Sequence, residues 1–443
     1  MKTLTKDKKL AILGGSPIRS KPFPSQNTMD DSEIKASKKV IESGILSGFL
    51  GAWGDAFYGG PRVQKFEKMF SKMHDSEYGV SVNSCTSGLI AAVGALGCEP
   101  GDEVIVPALT MSATATAAVI FNCVPIFADV NPITSSIDPL SVKKLITSRT
   151  KAIIVTHWFG YPVDMDPILK IARKYNISII EDCAQAPLAT YKGKKVGTLG
   201  DIGVFSLNYH KHIHTGEGGI ALTNNKKLAE RMQLIRNHGE AVVARKPTKD
   251  FRNLLGFNFR LGEIEAAIGI EQLKKADKLI DKRIKNVKYL ENKLKNSNLV
   301  KIVPVPSEFK HVYYNHTLIF QEKNDYNVQA SKFIEAIKAE LPYTELRKKD
   351  GPLIGLGGVK PLYELPMYQK KIAFGGKGYP FKGEHYVGYV DYSKTKCFNA
   401  EEIRKNLIIH ELMYPNMTKK DMDDVAKAFI KVEDNIEQII NNK

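Results

Sequence analysis

Cysteine is scarce in this chain: five residues in 443, at positions 85, 98, 123, 183 and 397. Their number is odd, their spacing is scattered and no C-x-x-C pair occurs, so neither a disulfide framework nor a cysteine-rich zinc site is indicated. Nothing near the N-terminus has the apolar core of a signal peptide, and a reducing cytoplasm is the expected location. Uncharged runs long enough to span a bilayer are almost absent. The one candidate, Val104 to Ala128, is interrupted by Pro107, Thr110, Ser112, Thr114, Thr116, Asn122 and Pro125, which suits strand, helix and strand inside a core better than a membrane span. Internal repeats and low-complexity tracts are also missing. Acidic residues are outnumbered, 48 against 64 basic, for a formal charge of +16.

That excess concentrates in residues 271 to 301. A basic helix can be a nucleic-acid face, but Leu273, Leu279, Ile280, Ile284, Val287 and Leu294 recur at near-helical spacing in the same run. A long amphipathic helix with a solvated basic face is therefore expected, with no nucleic-acid partner. The charge remains suited to drawing in anionic substrates.

With 43% apolar residues, the chain can bury an ordinary core without metal or disulfide staples. After a lysine-rich tip and a turn-rich arm around Leu13-Gly14-Gly15-Ser16-Pro17, elements alternate. Helices are expected at 63–73, 86–96, 112–121, 139–147 and 164–174. Strands are expected near 79–82, 103–106, 124–128, 151–156, 177–181, 202–207 and 219–223. Short β-rich apolar runs between helices predict an α/β fold, a mostly parallel sheet flanked by helices. A change of texture near 275 divides the chain into a large domain, 1–275, and a smaller α+β domain, 276–443. The latter is expected to hold strands at 300–305 and 312–320, helices at 327–340, 400–408 and 418–439, and a Gly/Pro/Tyr-rich stretch from Gly351 to Gly388. That stretch is too long for an ordinary connection and reads as a functional or mobile loop.

Open parallel sheets bind ligands beyond the carboxyl ends of their strands. After the strand at 79–82, Asn83-Ser84-Cys85-Thr86-Ser87-Gly88 runs into a helix. Free amides there can hold an anion, or Ser84 can simply cap the helix. The strand at 177–181 ends in Glu181-Asp182, whose buried carboxylates need a partner: a protonated heterocyclic nitrogen, a metal or an arginine. Beyond 202–207, His210, Lys211, His212 and His214 alternate. On a strand the three histidines would share a face and could bind zinc. In a turn, a desolvated Lys211 could instead attack a carbonyl.

An anion site at a helix start, an aspartate after a later strand and a lysine beyond the next form the order expected for pyridoxal phosphate. The chain resembles the DegT/DnrJ/EryC1/StrS sugar aminotransferases, of fold-type I architecture. The resemblance lies in Ser84-Cys85-Thr86-Ser87, Pro107 to Thr114, Val155 to Gly160, Glu181 to Ala186, Gly200 to Ser206, Lys211 to Gly219, Arg236 to Gly239 and Gly256 to Leu261. It implies that Lys211 bonds the cofactor aldehyde and shuttles protons, and that Asp182 keeps the pyridinium nitrogen protonated. It further implies that Gln185 contacts the ring hydroxyl, and that Ser206 with the amides of Cys85 and Thr86 cradles the phosphate. Met111 stands where the family usually stacks an aromatic ring, and Cys85 where it usually has glycine. Asn258 matches the residue that a neighbouring subunit gives to the phosphate, so a homodimer with shared sites is implied. No metal is expected. The implied reaction transfers an amino group from glutamate to a nucleotide-linked keto-sugar, a 4-keto-6-deoxyhexose. The alternatives are a keto-cyclitol such as an inosose, the family's dehydratase branch, which replaces the lysine by histidine, and a non-enzymatic regulatory protein.

Overall fold

The computed structural model describes residues 9–246, 248, 250–321 and 326–440. Its centre is a seven-stranded sheet. The strands are β1 (Tyr78–Val82), β2 (Glu103–Pro107), β3 (Val124–Ala128), β4 (Thr150–Thr156), β5 (Ser178–Asp182), β6 (Ile202–Ser206) and β7 (Gly219–Thr223). In space they run β1-β7-β6-β5-β4-β2-β3. Pairing is parallel from β6 through β3, while β7 is antiparallel to both its neighbours, β1 and β6.

Strand residues point alternately to opposite faces, and both faces are covered. Val104, Ala152, Ile154 and Ile180 join one core with helices α3 (Cys85–Ala95), α4 (Ser112–Ile120) and α7 (Lys226–Arg236). Ile105, Ile153, Val155 and Ile179 join the opposite core with α2 (Pro61–Met73), α5 (Pro139–Leu145), α6 (Met165–Tyr175) and the long α8 (Glu263–Leu294). Burial on both sides explains why these strands read as continuous apolar runs. An earlier helix, α1 (Asp31–Ser43), has a capping box from Asp30 and Glu33 and was not anticipated from the sequence.

A second, antiparallel sheet orders β8 (Val300–Ile302), β9 (His316–Phe320), β11 (Leu407–His410) and β10 (Ile354–Leu356) as β8-β9-β11-β10. It packs on α9 (Ala330–Glu340) and α11 (Lys419–Asp434). The helix expected at 400–408 is instead α10 (Phe398–Asn406) followed by β11. Cross-strand pairing of Leu407 to His410 overrides the local helical pattern there. The strand expected at 312–320 is confined to 316–320, because residues 312–315 dock on the 159–160 turn.

The division placed at 275/276 falls inside α8, which does not break. Ala266, Ile270, Leu273, Ala276 and Ile280 serve the large-sheet core, and Val287, Leu290 and Leu294 serve the second. The Gly/Pro/Tyr-rich stretch crosses back. Leu362, Tyr363, Tyr368, Phe381, Tyr386 and Tyr392 enter the first core, Tyr392 donates from its hydroxyl to Pro125 O at 2.8 Å, and the amide of Leu362 donates to Ala108 O at 2.9 Å. Among the described residues, no helix is long and apolar enough to cross a membrane.

Candidate active site

The antiparallel β7 brings two strand ends together, because Gly219 pairs with Val82 at the end of β1 and with Ser206 at the end of β6. A Cβ at Gly219 would lie 2.7 Å from Cys85 N and 2.8 Å from Ser84 O, so only glycine lets the α3 start approach so closely. Ser84 is the α3 N-cap and accepts from Ser87 N–H at 3.1 Å. The capping alternative therefore holds for that hydroxyl. The amides of Cys85 and Thr86 have no acceptor among the described residues and lie at the positive end of the helix dipole. Cys85 has a negative φ as the first helical residue, so a side chain is tolerated at this position.

Adjacent carboxylates at the end of β5 separate to opposite faces. Glu181 accepts from the amides of Gly197 (2.8 Å), Leu199 (2.7 Å) and Gly200 (2.7 Å), and from His157 Nε2 (2.9 Å). His157 Nδ1 in turn accepts from Val163 N–H at 3.0 Å. The ligand atoms of His157, Glu181 and Cys183 lie within 4.8 Å of one another, but the carboxylate and the imidazole already have protein hydrogen-bond partners, so this cluster is structural. Asp182 faces the other way. Its carboxylate receives only Thr114 Oγ1 at 2.8 Å and the Ala184 amide at 3.1 Å, with no cation in ion-pair reach among the described residues. Burial raises its pKa, against the opposing pull of Thr114, Ala184, Lys211 and His157. Thr114 is itself in contact with Thr110, which bonds Thr156, so a buried hydroxyl chain sets the carboxylate's orientation. These threonines fall in stretches that carry the family resemblance, but nothing in the sequence assigned them a role.

Lys211 follows β6 in a turn, its amide donating to Asn208 O at 2.9 Å. It is buried, and no carboxylate lies in ion-pair reach among the described residues. Its Nζ sits 4.3 Å from the centre of the Tyr314 ring. Burial lowers its pKa, partly offset by Cys85, Asp182 and Glu411. The ring nitrogens of the alternating histidines do not gather into a metal-sized cluster among the described residues. His212 shares its Nε2 with Val312 O at 2.9 Å, His210 packs edge-on to Tyr209, and His214 borders a groove with Met29, Ile34 and Ile268. Burial is the largest cause of a lowered pKa at all three, to about 4 at His210 and His214.

The remaining candidates border this centre. Gln185 Oε1 accepts from Phe159 N–H at 2.7 Å, which leaves its Nε2 as a donor. The Ser206 hydroxyl accepts from the Asn208 amide at 3.3 Å. Met111 is the α4 N-cap and 59% exposed, and Asn258 is exposed and bridges to Asn237.

A buried carboxylate without a cation, a buried amine without an anion, and two free amides at a helix start form an incomplete electrostatic set. A phosphorylated heteroaromatic aldehyde with a basic ring nitrogen supplies each missing counterpart: phosphate for the amides, a ring cation for Asp182 and a carbonyl for Lys211.

Comparison with known proteins agrees with this chemistry. The model of the DegT/DnrJ/EryC1/StrS aminotransferase family matches residues 52–347. An L-glutamine:2-deoxy-scyllo-inosose aminotransferase of Streptomyces kanamyceticus is 30% identical over 96% of this chain and 96% of its own length. A GDP-perosamine synthase of Caulobacter vibrioides is 40% identical over 58% of this chain and 68% of its own. The structure of an E. coli GDP-4-keto-6-deoxy-D-mannose-3-dehydratase with bound hydrated pyridoxal phosphate superposes with a TM-score of 0.74 at 26% identity, covering 93% of this chain and 99% of that one.

Proposed function

This chain belongs to the DegT/DnrJ/EryC1/StrS aminotransferase family and is a pyridoxal-phosphate-dependent sugar aminotransferase, and from that premise we propose that it moves an amino group from glutamate to the ketone of a nucleotide-linked keto-sugar, a 4-keto-6-deoxyhexose. The observation that carries the reading is the pairing of an ion-pair-free buried lysine with an ion-pair-free buried aspartate beyond adjacent strands β6 and β5.

Bound pyridoxal phosphate supplies an aldehyde that accepts an amine and a ring that draws electrons from the substrate carbon. Lys211 Nζ, its neutral form favoured by burial, is the nucleophile toward that aldehyde and afterwards the group that takes up and returns the substrate proton. Asp182 holds the ring nitrogen in its protonated state, steered by Thr114. The amides of Cys85 and Thr86 and the Ser206 hydroxyl bind phosphate, Gln185 Nε2 donates to the ring hydroxyl, and Met111 covers the ring through its polarizable sulfur. Exposed Asn258 serves the site of a second copy, so the working form is a homodimer in the cytoplasm. The net charge of +16 favours a nucleotide diphosphate on the substrate.

A second reading, a keto-cyclitol acceptor, is favoured by coverage. Likeness to the inosose aminotransferase spans 96% of the chain, whereas likeness to the perosamine synthase spans 58%. Incubation of the purified protein with glutamate or glutamine and a panel of nucleotide keto-sugars and inosose, followed by mass spectrometry, decides between them. A new amine on a nucleotide sugar is expected. An amine on inosose alone would replace the first reading by the second, and a product lighter by one water would indicate dehydration.

A further inference from the structure

We propose that Gln26 and Arg283 are positioning residues for Lys211, through which the N-terminal arm and α8 together fix the lysine turn and the ring beside its amine. The inference rests on the reading of Lys211 as the cofactor-bonding lysine.

Lys211 lies outside regular structure, so its presentation depends on what grips the turn. Gln26 Nε2 donates to the Lys211 carbonyl, and Gln26 Oε1 accepts from Arg283 Nη2 at 3.0 Å. The other arm of the guanidinium, Nη1, donates to Tyr313 O at 3.1 Å and Tyr314 O at 3.0 Å. Tyr314 is the residue whose ring meets Lys211 Nζ. One planar cation thus holds both the backbone of the lysine, through a single glutamine amide, and the backbone of its aromatic neighbour. The partners fix the orientation of the amide: reversed, it would set oxygen against the carbonyl and N–H against the guanidinium.

Arg283 is 1% exposed and has no carboxylate in ion-pair reach among the described residues. A basic residue expected on the solvated face of α8 is therefore buried beneath the catalytic turn, an expensive placement unless its forked geometry is needed. The arm carrying Gln26 is anchored independently. Glu340 accepts from the amides of Ala11 (2.8 Å) and Ile18 (3.0 Å), Lys431 Nζ donates to Ser16 O at 2.8 Å, and the Leu346 amide donates to Ser25 Oγ at 2.6 Å. Gln26 therefore reaches the turn from a fixed base.

The test compares the full-length apoprotein with Gln26→Ala, Gln26→Glu and Arg283→Lys. Pyridoxal phosphate is added, and covalent loading of Lys211 is followed by borohydride quenching at timed intervals and peptide mapping, beside the thermal midpoint of each apoprotein. Gln26→Ala and Arg283→Lys are expected to load about 10-fold more slowly, the equivalent of one ordinary hydrogen bond lost from the reacting arrangement. Gln26→Glu still accepts from Arg283 but sets a carboxylate oxygen against the Lys211 carbonyl, so it keeps the Arg283 contact and loads slowly. Wild-type loading rates in Gln26→Ala and Gln26→Glu, whatever their midpoints, overturn the proposal and leave Gln26 a structural contact. Label on another lysine in the wild type overturns the reading of Lys211 itself, a failure separate from that of the strut.

Discussion

The Nζ of Lys211 lies 4.3 Å from the centroid of the Tyr314 ring, a contact between a turn after β6 and a segment about a hundred residues later. Tyr314 is brought there because its amide donates to Phe159 O at 2.7 Å, while Val312 donates to Gly160 O at 3.1 Å. Gly160 has φ of +85°, and a Cβ there would meet Gln185 O at 2.8 Å, so glycine permits the turn on which the small-sheet side of the protein docks. The ring face favours the ammonium and burial disfavours it, and burial dominates.

An amine whose pKa burial lowers, in a pocket without a carboxylate partner among the described residues, should be the one the cofactor finds. Borohydride reduction of the loaded protein and peptide mapping should place the cofactor on Lys211. Lys211→Ala should bind it only noncovalently and lose turnover. Mapping to any other lysine would sink the assignment.

Asp182 and Thr114 make a graded pair. Asp182→Asn keeps a hydrogen-bonding group at the strand end but not its negative charge, and charge-assisted contacts of this kind are worth roughly 1.5–3 kcal/mol. Transamination should fall by about 10- to 100-fold, with the thermal midpoint little changed. Thr114→Val, which removes the 2.8 Å donor to Oδ2, should give a smaller loss in the same transamination assay. An unchanged rate in Asp182→Asn would make the carboxylate structural.

Much of the large sheet was legible because its strands are short apolar runs and its helices periodic, and the residues at the strand ends stand where ordered motifs placed them. What was not legible depends on distant partners. The strand Leu407–His410 is decided by pairing with residues 316–319, the 359–400 segment by aromatic packing around Phe127, and the burial of Arg283 by carbonyls thirty residues away. Glu181 and Asp182 looked alike in residue chemistry, and the alternation of β5, with the amides at 197–200 on one side, separates a carboxylate filled by protein donors from one that receives only Thr114 and Ala184.

The histidines flanking Lys211 should not make the enzyme metal-dependent. His212 already shares Nε2 with a carbonyl, and the ring nitrogens of the three histidines do not gather into a metal-sized cluster among the described residues. Dialysis against a strong chelator should leave activity intact, and elemental analysis should find no stoichiometric metal. Activity lost on dialysis and restored by zinc, with one metal per chain, would make the histidines ligands.

Acid sensitivity should trace in part to His74. This residue is fully buried, stacked on Phe70 at 4.4 Å between centroids. Its Nδ1 lies 3.0 Å from Phe70 O and its Nε2 accepts from Leu188 N–H at 3.4 Å, so the neutral ring with hydrogen on Nδ1 satisfies both partners. A second proton would have to enter against the Leu188 amide. Burial, the largest cause, pushes its pKa down to about 4 from the ordinary histidine value of 6.5. Between those values the unfolded chain binds a proton that the folded chain refuses. Stability is therefore full above about pH 6.5, declines as pH falls toward 4, and changes no further below it on this account. The shift corresponds to roughly 3 kcal/mol when fully developed. His74→Phe keeps an aromatic ring on Phe70 and cannot titrate, so its thermal midpoint should start lower at pH 7 but fall less steeply between pH 6.5 and 4 than that of the wild type. The other depressed histidines, His210 and His214 among them, are present in both proteins, so the difference in slope isolates His74. Parallel curves would mean that the native protein protonates His74 without penalty.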